Sequence, residues 1–382
     1  MNARTLLNAA VFAGIIGCVT GANCMMGCAE KGPQYVSPLE RANAFEPERE
    51  AYAKLGYRHE WTGFPTMTAG GKVEFFDILG DVVVVQESSS VLSVIEAGNG
   101  TSRWSDQVAN PLTKFVGNIR DDKRVISCSE SEAYFFDIET GALVDKKHLD
   151  KVVNTRPVIV DNNLVFGTSL GEIFGQLKAV GFRTWGNTVS GAIQTNPAVL
   201  GSTLGFISST GEIVMLDGAT GVSKMRTKIF TGTEADPAAS DNMMFVASLD
   251  HSLYAFAPSS PTPVWRQRTD TPLRHQPTYH DGAVYCAIDG TGLVAFDSRG
   301  SNGNARELWT TPGVTGTVIG LRKGRLLLWT GSEGILIDPA DGAIVDRAKL
   351  DRVAVLKTDA FVDGSLYAVS EDGVVVKLLP KN

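Results

Sequence analysis

The sequence lacks the basic clusters by which proteins bind nucleic acids. Its 382 residues carry a formal net charge of -7, and only 20% of them are charged. No run of lysine and arginine is longer than two residues, as at Lys146 and Lys147. Because nucleic-acid binding needs positive charge gathered on one surface, we expect no nucleic-acid partner.

Cysteine is also scarce outside the N-terminal region. Of the five cysteines, only Cys128 and Cys286 lie in the body of the chain. The two stand far apart in the sequence, so a disulfide between them would need a coincidence of geometry. We therefore expect two small, buried, apolar side chains.

Motifs of catalysis are missing from the sequence. It contains no nucleophile elbow, phosphate-binding loop or zinc-protease helix motif. Its histidines lack the paired spacing of metal ligands. They are His59, His148, His251, His275 and His280. The sequence thus predicts no catalytic residue, no metal site and no cofactor.

The N-terminal residues have the pattern of an export signal. Arg4 precedes an apolar stretch over residues 6–17 that is too short to span a membrane comfortably. The stretch ends in the sequence IIGC at residues 15–18, which resembles a bacterial lipobox. We predict a lipoprotein-type signal peptide over residues 1–17 and a lipid on Cys18, with Cys28 as the alternative. An ordinary signal peptide and a transmembrane anchor are the competing interpretations.

Residues 18–55 are predicted to form a tether. The part from residue 29 to about residue 52 is polar and punctuated by prolines, as in linkers that hold a folded body away from a membrane. One helical turn is expected within it, around Glu48 to Leu55.

The body of the chain repeats itself. Pro157, Pro197, Pro237 and Pro277 are spaced by 40 residues, and each is followed by a short apolar strand and a turn. Two further β-rich runs come next, and some copies close with a tryptophan such as Trp104.

Openings of the same kind recur at eight places, near residues 81, 122, 161, 201, 241, 281, 323 and 363. Forty glycines are consistent with a chain that makes many tight turns. Four short strands in about 40 residues have the size of a propeller blade. One such sheet cannot bury both of its faces alone, so the blades must stack. The count favours eight blades, with seven as the competing number.

The two ends of the repeat region complement each other. The last apolar run, around Val374 to Pro380, is a third strand without a fourth, whereas residues 56–61 resemble an isolated fourth strand that ends in Trp61. Pairing the two would close a ring and leave no open sheet edge. We therefore predict an all-β fold over residues 56–382, an eight-bladed β-propeller closed by an N-terminal strand.

The turns of this repeat resemble those of a known family. The sequence LDGATG at residues 216–221, with its relatives at residues 136–141 and 337–342, resembles the pyrroloquinoline-quinone-type (PQQ-like) repeat. The resemblance implies that Asp217 and Thr220 close the turn by hydrogen bonds and that Gly221 adopts a positive φ. It also implies that a tryptophan docks on the neighbouring blade.

Two branches of that superfamily differ in function. Quinoprotein dehydrogenases carry a vicinal cysteine pair, a calcium ion and a catalytic aspartate, and this sequence has no adjacent cysteines. The BamB family of outer-membrane assembly lipoproteins is similar to this chain in having a lipobox, a short tether and bare blades. That resemblance implies a non-catalytic scaffold without a cofactor, held by lipid on the periplasmic face of the outer membrane, with protein partners in an assembly complex. A quinone-dependent oxidoreductase and a sensory or carbohydrate-associated propeller are the alternatives.

One loop is a candidate for partner binding. The sequence TPLR at residues 271–274 resembles a partner-facing phrase of that family, although the first leucine of the phrase is absent. Leu273 and Arg274, with Tyr279 and His280, are predicted to form a cluster with the arginine and aromatic character of interface anchors. The alternative is that all four are ordinary strand ends.

Overall fold

The computed structural model describes residues 34–381. Two short helices come first, α1 (Pro38–Ala44) and α2 (Arg49–Lys54), and everything after them is strand, turn and loop. Within this described part, no helix is long and apolar enough to cross a membrane.

The strands are short and follow one another along the chain. In order they are β1 (Tyr57–Gly63), β2 (Val73–Leu79), β3 (Val82–Glu87), β4 (Val91–Glu96), β5 (Ser102–Gln107), β6 (Phe115–Asp121), β7 (Arg124–Ser129), β8 (Glu132–Asp137), β9 (Leu143–His148), β10 (Val158–Val160), β11 (Asn163–Gly167), β12 (Glu172–Leu177), β13 (Arg183–Thr188), β14 (Ala198–Leu200), β15 (Thr203–Ile207) and β16 (Glu212–Asp217). They continue with β17 (Ser223–Lys228), β18 (Ala238–Ala239), β19 (Met244–Ser248), β20 (Ser252–Phe256), β21 (Trp265–Arg268), β22 (Thr278–His280), β23 (Ala283–Ile288), β24 (Gly292–Ser301), β25 (Asn304–Pro312), β26 (Thr317–Arg322), β27 (Arg325–Trp329), β28 (Glu333–Ile337), β29 (Ile344–Lys349), β30 (Val353–Thr358), β31 (Leu366–Ser370) and β32 (Val375–Pro380).

Consecutive strands pair into four-stranded antiparallel units. Sheet 1 is β2–β5, sheet 2 is β6–β9, sheet 3 is β10–β13, sheet 4 is β14–β17, sheet 5 is β18–β21, sheet 6 is β22–β25 and sheet 7 is β26–β29. Sheet 8 has the order β30-β31-β32-β1. Sheets 5 and 6 are joined by a parallel pair between Arg266 of β21 and Asn304 of β25. Residues 34–381 thus contain eight four-stranded units.

Each sheet is buried on both faces because it lies between two others. Along β3, Val82 and Val84 pack in a cluster with side chains of sheet 2, such as Phe136. The alternate residues Val83 and Val85 pack in another cluster with side chains of sheet 8. This alternation is the two-residue period of a strand. Each of the remaining pairs of consecutive sheets is joined by an apolar cluster in the same way. The predicted all-β propeller is confirmed.

The N-terminal strand closes the ring. β1 pairs antiparallel with β32, from Tyr57 opposite Pro380 to Gly63 opposite Val375. It therefore supplies the fourth strand that the last unit lacks, as the sequence predicted. β1 thereby becomes the outer strand of sheet 8, in the position that the fourth strand holds in sheets 1–4 and 7.

The turns of the repeat are built as the family resemblance implies. Asp217 Oδ1 accepts hydrogen bonds from the backbone N of Ala219 and Thr220, at 3.2 and 3.0 Å, and from Thr220 Oγ1 at 2.9 Å. Gly221 follows with φ of +72°, a conformation that glycine adopts without steric cost. Its Cα leaves room for Trp185, because an added Cβ would come within 2.4 Å of the indole.

The segment before β1 differs from the predicted tether. Within the described residues, Val36 N donates to Met67 O at 3.0 Å, and Phe45, Tyr52 and Leu55 are buried in the cluster between sheets 7 and 8. The segment from Tyr35 to Leu55 is therefore packed against the propeller. Its polar composition concealed this, because only a few apolar side chains make the contact. The expected turn near Glu48 corresponds to α2.

Candidate functional site

The four residues of the predicted partner-binding cluster do not form one exposed surface. Leu273 is fully buried and packs with Phe245 and Trp265 in the core between sheets 5 and 6. Its side chain cannot contact a partner, so this part of the prediction is wrong. The leucine follows a polar loop in the sequence, but the loop turns inward there to cover the seam between the two sheets.

The other three residues of that cluster point in different directions. Arg274 is exposed and forms an ion pair with Glu234. Tyr279 stacks on Phe245 with ring centroids 5.6 Å apart, and His280 stacks on Phe361 at 4.2 Å. Both rings belong to β22, the innermost strand of sheet 6. The structure therefore brings Arg274, Tyr279 and His280 into separate local contacts.

Several loop tips of the propeller carry exposed apolar side chains instead. Because neighbouring strands are antiparallel, the links between sheets lie on the same side as the hairpins between second and third strands. We call this side the loop face. It exposes large apolar side chains at the loop tips, with 94% of Leu112, 57% of Val152, 83% of Leu170 and 90% of Phe230 accessible to solvent. The opposite side, which we call the turn face, also exposes apolar side chains, among them Phe182 by 72% and Val222 by 63%.

Two of these tips border open grooves. Val152 and Leu170 line a cavity of about 280 Å³ between sheets 2 and 3. Phe230 lines a larger one of about 650 Å³, together with Arg266 and Arg268 of β21. Each groove thus combines apolar side chains with polar ones at a seam between two sheets.

The walls of the Phe230 groove are fixed by hydrogen bonds. Arg266 donates through Nε and Nη2 to Ser252 Oγ at 3.0 and 2.8 Å, and its guanidinium lies 5.0 Å from the centre of the Tyr254 ring. The Tyr254 hydroxyl donates to Asp250 Oδ2 at 2.8 Å. Burial and that carboxylate raise the pKa of Tyr254 above its ordinary value, so the hydroxyl keeps its proton. These contacts hold Arg266 in place beside Phe230.

Phe230 departs from its own repeat. The positions 40 residues apart in neighbouring repeats are Asp150, Ser190 and Asp270. A polar residue is usual where a loop tip faces water, and the phenylalanine breaks that pattern. Comparing the repeats position by position would have identified it from sequence. The preceding Ile229 conceals this feature, because the two apolar residues together resemble part of a strand.

A cluster of polar side chains lies where the innermost strands of neighbouring sheets meet. Asp77 accepts from Arg156 Nη2 at 2.8 Å and from Asn118 Nδ2 at 3.3 Å. Lys357 Nζ donates to Phe76 O at 2.7 Å, and burial lowers the pKa of this lysine. Asp77, Asn118 and Lys357 stand on the first strands of sheets 1, 2 and 8, and Arg156 stands in the link that enters sheet 3. Their contacts tie the inner strands of these sheets together.

The two body cysteines are free thiols in the core, as expected from the sequence. Burial raises the pKa of Cys286 to about 12 and also raises that of Cys128. Both thiols therefore stay protonated near neutral pH and are poor nucleophiles. Among residues 34–381, no group of three or more His, Cys, Asp or Glu side chains is arranged to hold a metal ion.

Comparisons with known proteins agree on the fold and the family. The family model described as outer membrane protein assembly factor BamB matches residues 66–227 and 222–310. A search of curated proteins finds no match. The crystal structure of BamB from Moraxella catarrhalis is similar with a TM-score of 0.64 and 18% identity, over 85% of this chain and 99% of that one. A crystal structure of the computationally designed Ika8 protein is similar with a TM-score of 0.67 and 12% identity, over 84% and 99%.

At these identities the solved structures show the fold alone. The family model adds more, because its matches run from the start of sheet 1 into sheet 6 and cover more than half of the sequence. The chain belongs to the family of the outer membrane protein assembly factor BamB.

Proposed function

We propose that the protein is a non-catalytic scaffold that binds partner proteins on its loop face, in the assembly of outer-membrane proteins. Family membership supports the class of function. The loop face supports the mode of binding, because rigid strands hold its loops in fixed positions and leave apolar side chains in water.

Phe230 is the observation that carries this proposal. Exposing a phenylalanine side chain by 90% gives up the roughly 2 to 3 kcal/mol that its burial would contribute. The three related repeats have a polar residue at the equivalent position, so the loop does not need an aromatic side chain there in order to fold. An aromatic side chain beside two arginines has the composition of an interface hot spot. Binding of a partner would bury the ring and recover that free energy.

The cellular location follows from the N-terminal sequence and stays a proposal. Cys18, with Cys28 as the alternative, lies outside the described residues. A lipid on Cys18 after removal of residues 1–17 would hold the propeller at the periplasmic face of the outer membrane. Mass spectrometry of the mature N-terminus tests this directly. A mature protein with neither cysteine lipidated contradicts the anchor.

The scaffold proposal is tested by cross-linking and affinity purification from membranes of the native cell. We expect a component of outer-membrane protein assembly to co-purify with the wild-type chain. Phe230→Asp introduces the polar residue type found at the same position of the neighbouring repeats. Leu170→Ser removes the apolar side chain from a second loop tip. Each is expected to lower partner recovery about 10-fold or more, as loss of a hot spot does.

Phe182→Ser is the matched control, because it removes an exposed ring from the turn face. Recovery should be unchanged in this variant. Equal recovery with Phe230→Asp and wild type would remove the loop face from the proposal. A wild-type purification without any outer-membrane assembly component would contradict the proposed role itself.

A further inference from the structure

A cavity of about 270 Å³ lies at the loop face, between the N-terminal segment and the edges of sheets 1 and 8. Arg41 of α1 forms part of its wall, together with Thr68 and Lys72 from the link that enters sheet 1. Glu371 and Asp372, in the hairpin between β31 and β32, form another part. The cavity is therefore lined by charges of both signs.

Arg41 is buried without a matching anion. Its side chain belongs to a residue that is only 3% exposed, yet Nε and Nη1 have no hydrogen-bond partner among residues 34–381. Its guanidinium lies 5.8 Å from the centre of the Phe64 ring, a contact that attracts a cation weakly. Burial lowers the pKa of Arg41, and the charge of Asp372 acts in the opposite direction.

Asp372 is already engaged by another arginine. Arg352 Nη2 pairs with Asp372 Oδ2 at 3.0 Å, so this carboxylate already has a cationic partner. A buried guanidinium with unused donors is costly unless an anion reaches it. Since Arg41 borders a cavity, a ligand's acidic group is the species that could supply the missing acceptors.

The carboxylates on the other side of the cavity would attract a positively charged group. Glu371 is exposed at the rim. Behind Thr68 lies Glu87, which is 1% exposed and has no hydrogen-bond partner for Oε2 within residues 34–381. The backbone N of Thr68 donates to the other oxygen of Glu87 at 3.3 Å. A simple anion would be attracted by Arg41 and repelled by these carboxylates, whereas a zwitterion suits both sides.

We propose that this cavity binds a small zwitterion of the phosphoethanolamine type, with its phosphate on Arg41 and Lys72 and its ammonium group toward Glu371. Two sources share this chemistry, namely a phospholipid headgroup and a free phosphoethanolamine compound. The site is separate from the Phe230 groove, and it does not depend on the scaffold role.

Isothermal titration calorimetry and vesicle co-sedimentation test the proposal. The full chain carries Cys18→Ser and Cys28→Ser, so that a lipid anchor on either residue does not itself produce vesicle binding. The probes are O-phosphoethanolamine, inorganic phosphate, and vesicles of phosphatidylethanolamine or phosphatidylcholine. We expect O-phosphoethanolamine to bind more tightly than inorganic phosphate. Preferential binding to phosphatidylethanolamine vesicles supports the headgroup as source, and binding of the free compound alone supports a soluble source.

Arg41→Met tests the acidic-group contact. It is expected to weaken binding roughly 10-fold or more, which is the range for loss of charged hydrogen bonds. The variant should melt no lower than wild type without ligand, because it replaces an uncompensated buried charge by an apolar side chain. Arg58→Met is the control, since Arg58 is exposed and forms an ion pair with Glu60 at the protein surface. It should leave binding unchanged.

Glu371→Gln tests the ammonium contact at an exposed position that does not threaten folding. It should weaken O-phosphoethanolamine several-fold and leave inorganic phosphate unaffected or strengthened. Unchanged phosphoethanolamine affinity in this variant overturns the zwitterion assignment. Equal affinity in Arg41→Met and wild type, or no binding of any probe to the wild-type chain, overturns the site.

Discussion

The indole Nε1 of Trp61 donates a hydrogen bond to the carbonyl oxygen of Ala97 at 3.1 Å. Trp61 lies on β1, in sheet 8, and Ala97 lies in the turn between β4 and β5, in sheet 1. Trp104 makes the same contact with Ile138 O, at 2.9 Å, between sheets 1 and 2. The closing seam is therefore built like an ordinary seam of the repeat, although its tryptophan comes from the other end of the propeller sequence.

Trp61→Phe should destabilise the protein by about 0.5 to 1.5 kcal/mol, because it removes one of the two hydrogen bonds to the Ala97 carbonyl. The other, from Lys377 Nζ at 2.7 Å, remains. Trp185→Phe is the matched control, since Trp185 Nε1 has no hydrogen-bond partner in the described part of the chain. We expect little change or a slight gain in that variant. Denaturant unfolding of both measures the difference, and equal losses would show that packing alone holds the seam.

Arg322 joins both ends of the propeller sequence. Its Nε donates to Gly56 O at 3.0 Å and its Nη1 to Asp363 Oδ1 at 2.7 Å, and its Nη2 donates to Lys381 O. Arg322→Met should cost about 1.5 to 3 kcal/mol, because it removes the hydrogen bonds of a buried guanidinium. Gly56 O and Asp363 Oδ1 keep a donor each, in the backbone N of Lys381 and of Lys323.

Hydrogen exchange should also show faster opening of β1 in Arg322→Met. Arg58→Met, on the exposed side of the same strand, should change the free energy of unfolding by less than about 0.5 kcal/mol. If β1 exchanges at the wild-type rate in Arg322→Met, then this arginine does not hold the closure.

Alanine substitutions at Gly141 and Gly201 distinguish the cost of steric crowding from the cost of an unfavourable backbone conformation. Both have positive φ, +72° and +61°. A Cβ on Gly141 would come within 2.6 Å of the Trp104 ring, whereas a Cβ on Gly201 would meet nothing within 4 Å. Gly201→Ala should therefore cost only the conformational penalty of about 1 kcal/mol. Gly141→Ala should cost clearly more, and equal melting temperatures for the two variants would contradict the docking of Trp104.

Acid should weaken the repeat turns. Hydrogen bonds from Thr220, helped by Lys224, hold the pKa of Asp217 below its ordinary value. A carboxyl with a depressed pKa in the folded state stabilises the protein above its unfolded pKa, roughly 4. That contribution is lost as the pH falls through the lower folded value.

Asp217→Asn should therefore flatten the dependence of melting temperature on pH below about pH 4. Asp241→Asn, at an exposed turn, is the control and should leave that dependence as in wild type. An unchanged acid profile in Asp217→Asn would mean that its turn contributes nothing to acid stability.

The order of strands could be predicted because it depends on local signals. Turn residues such as Asp217 and Gly221 mark the strand ends, and the spacing of Pro157, Pro197 and Pro237 sets the repeat. The closure could be predicted as well, since an unpaired third strand and an isolated fourth strand were both visible. Packing of the segment from Tyr35 to Leu55 was not visible, because a few apolar contacts in a polar stretch carry no periodic signal.

Which apolar side chains face water depends on the packing of the sheets and cannot be read from local sequence. Leu273 and Phe230 both stand in the links between sheets, and the first is buried while the second is exposed. Local signals in the chain are enough to specify the sheet units and their order around the ring, because hydrophobic period and turn chemistry act over a few residues. Burial of a loop residue depends on how the next sheet packs against it, and that contact exists only once the two sheets have come together.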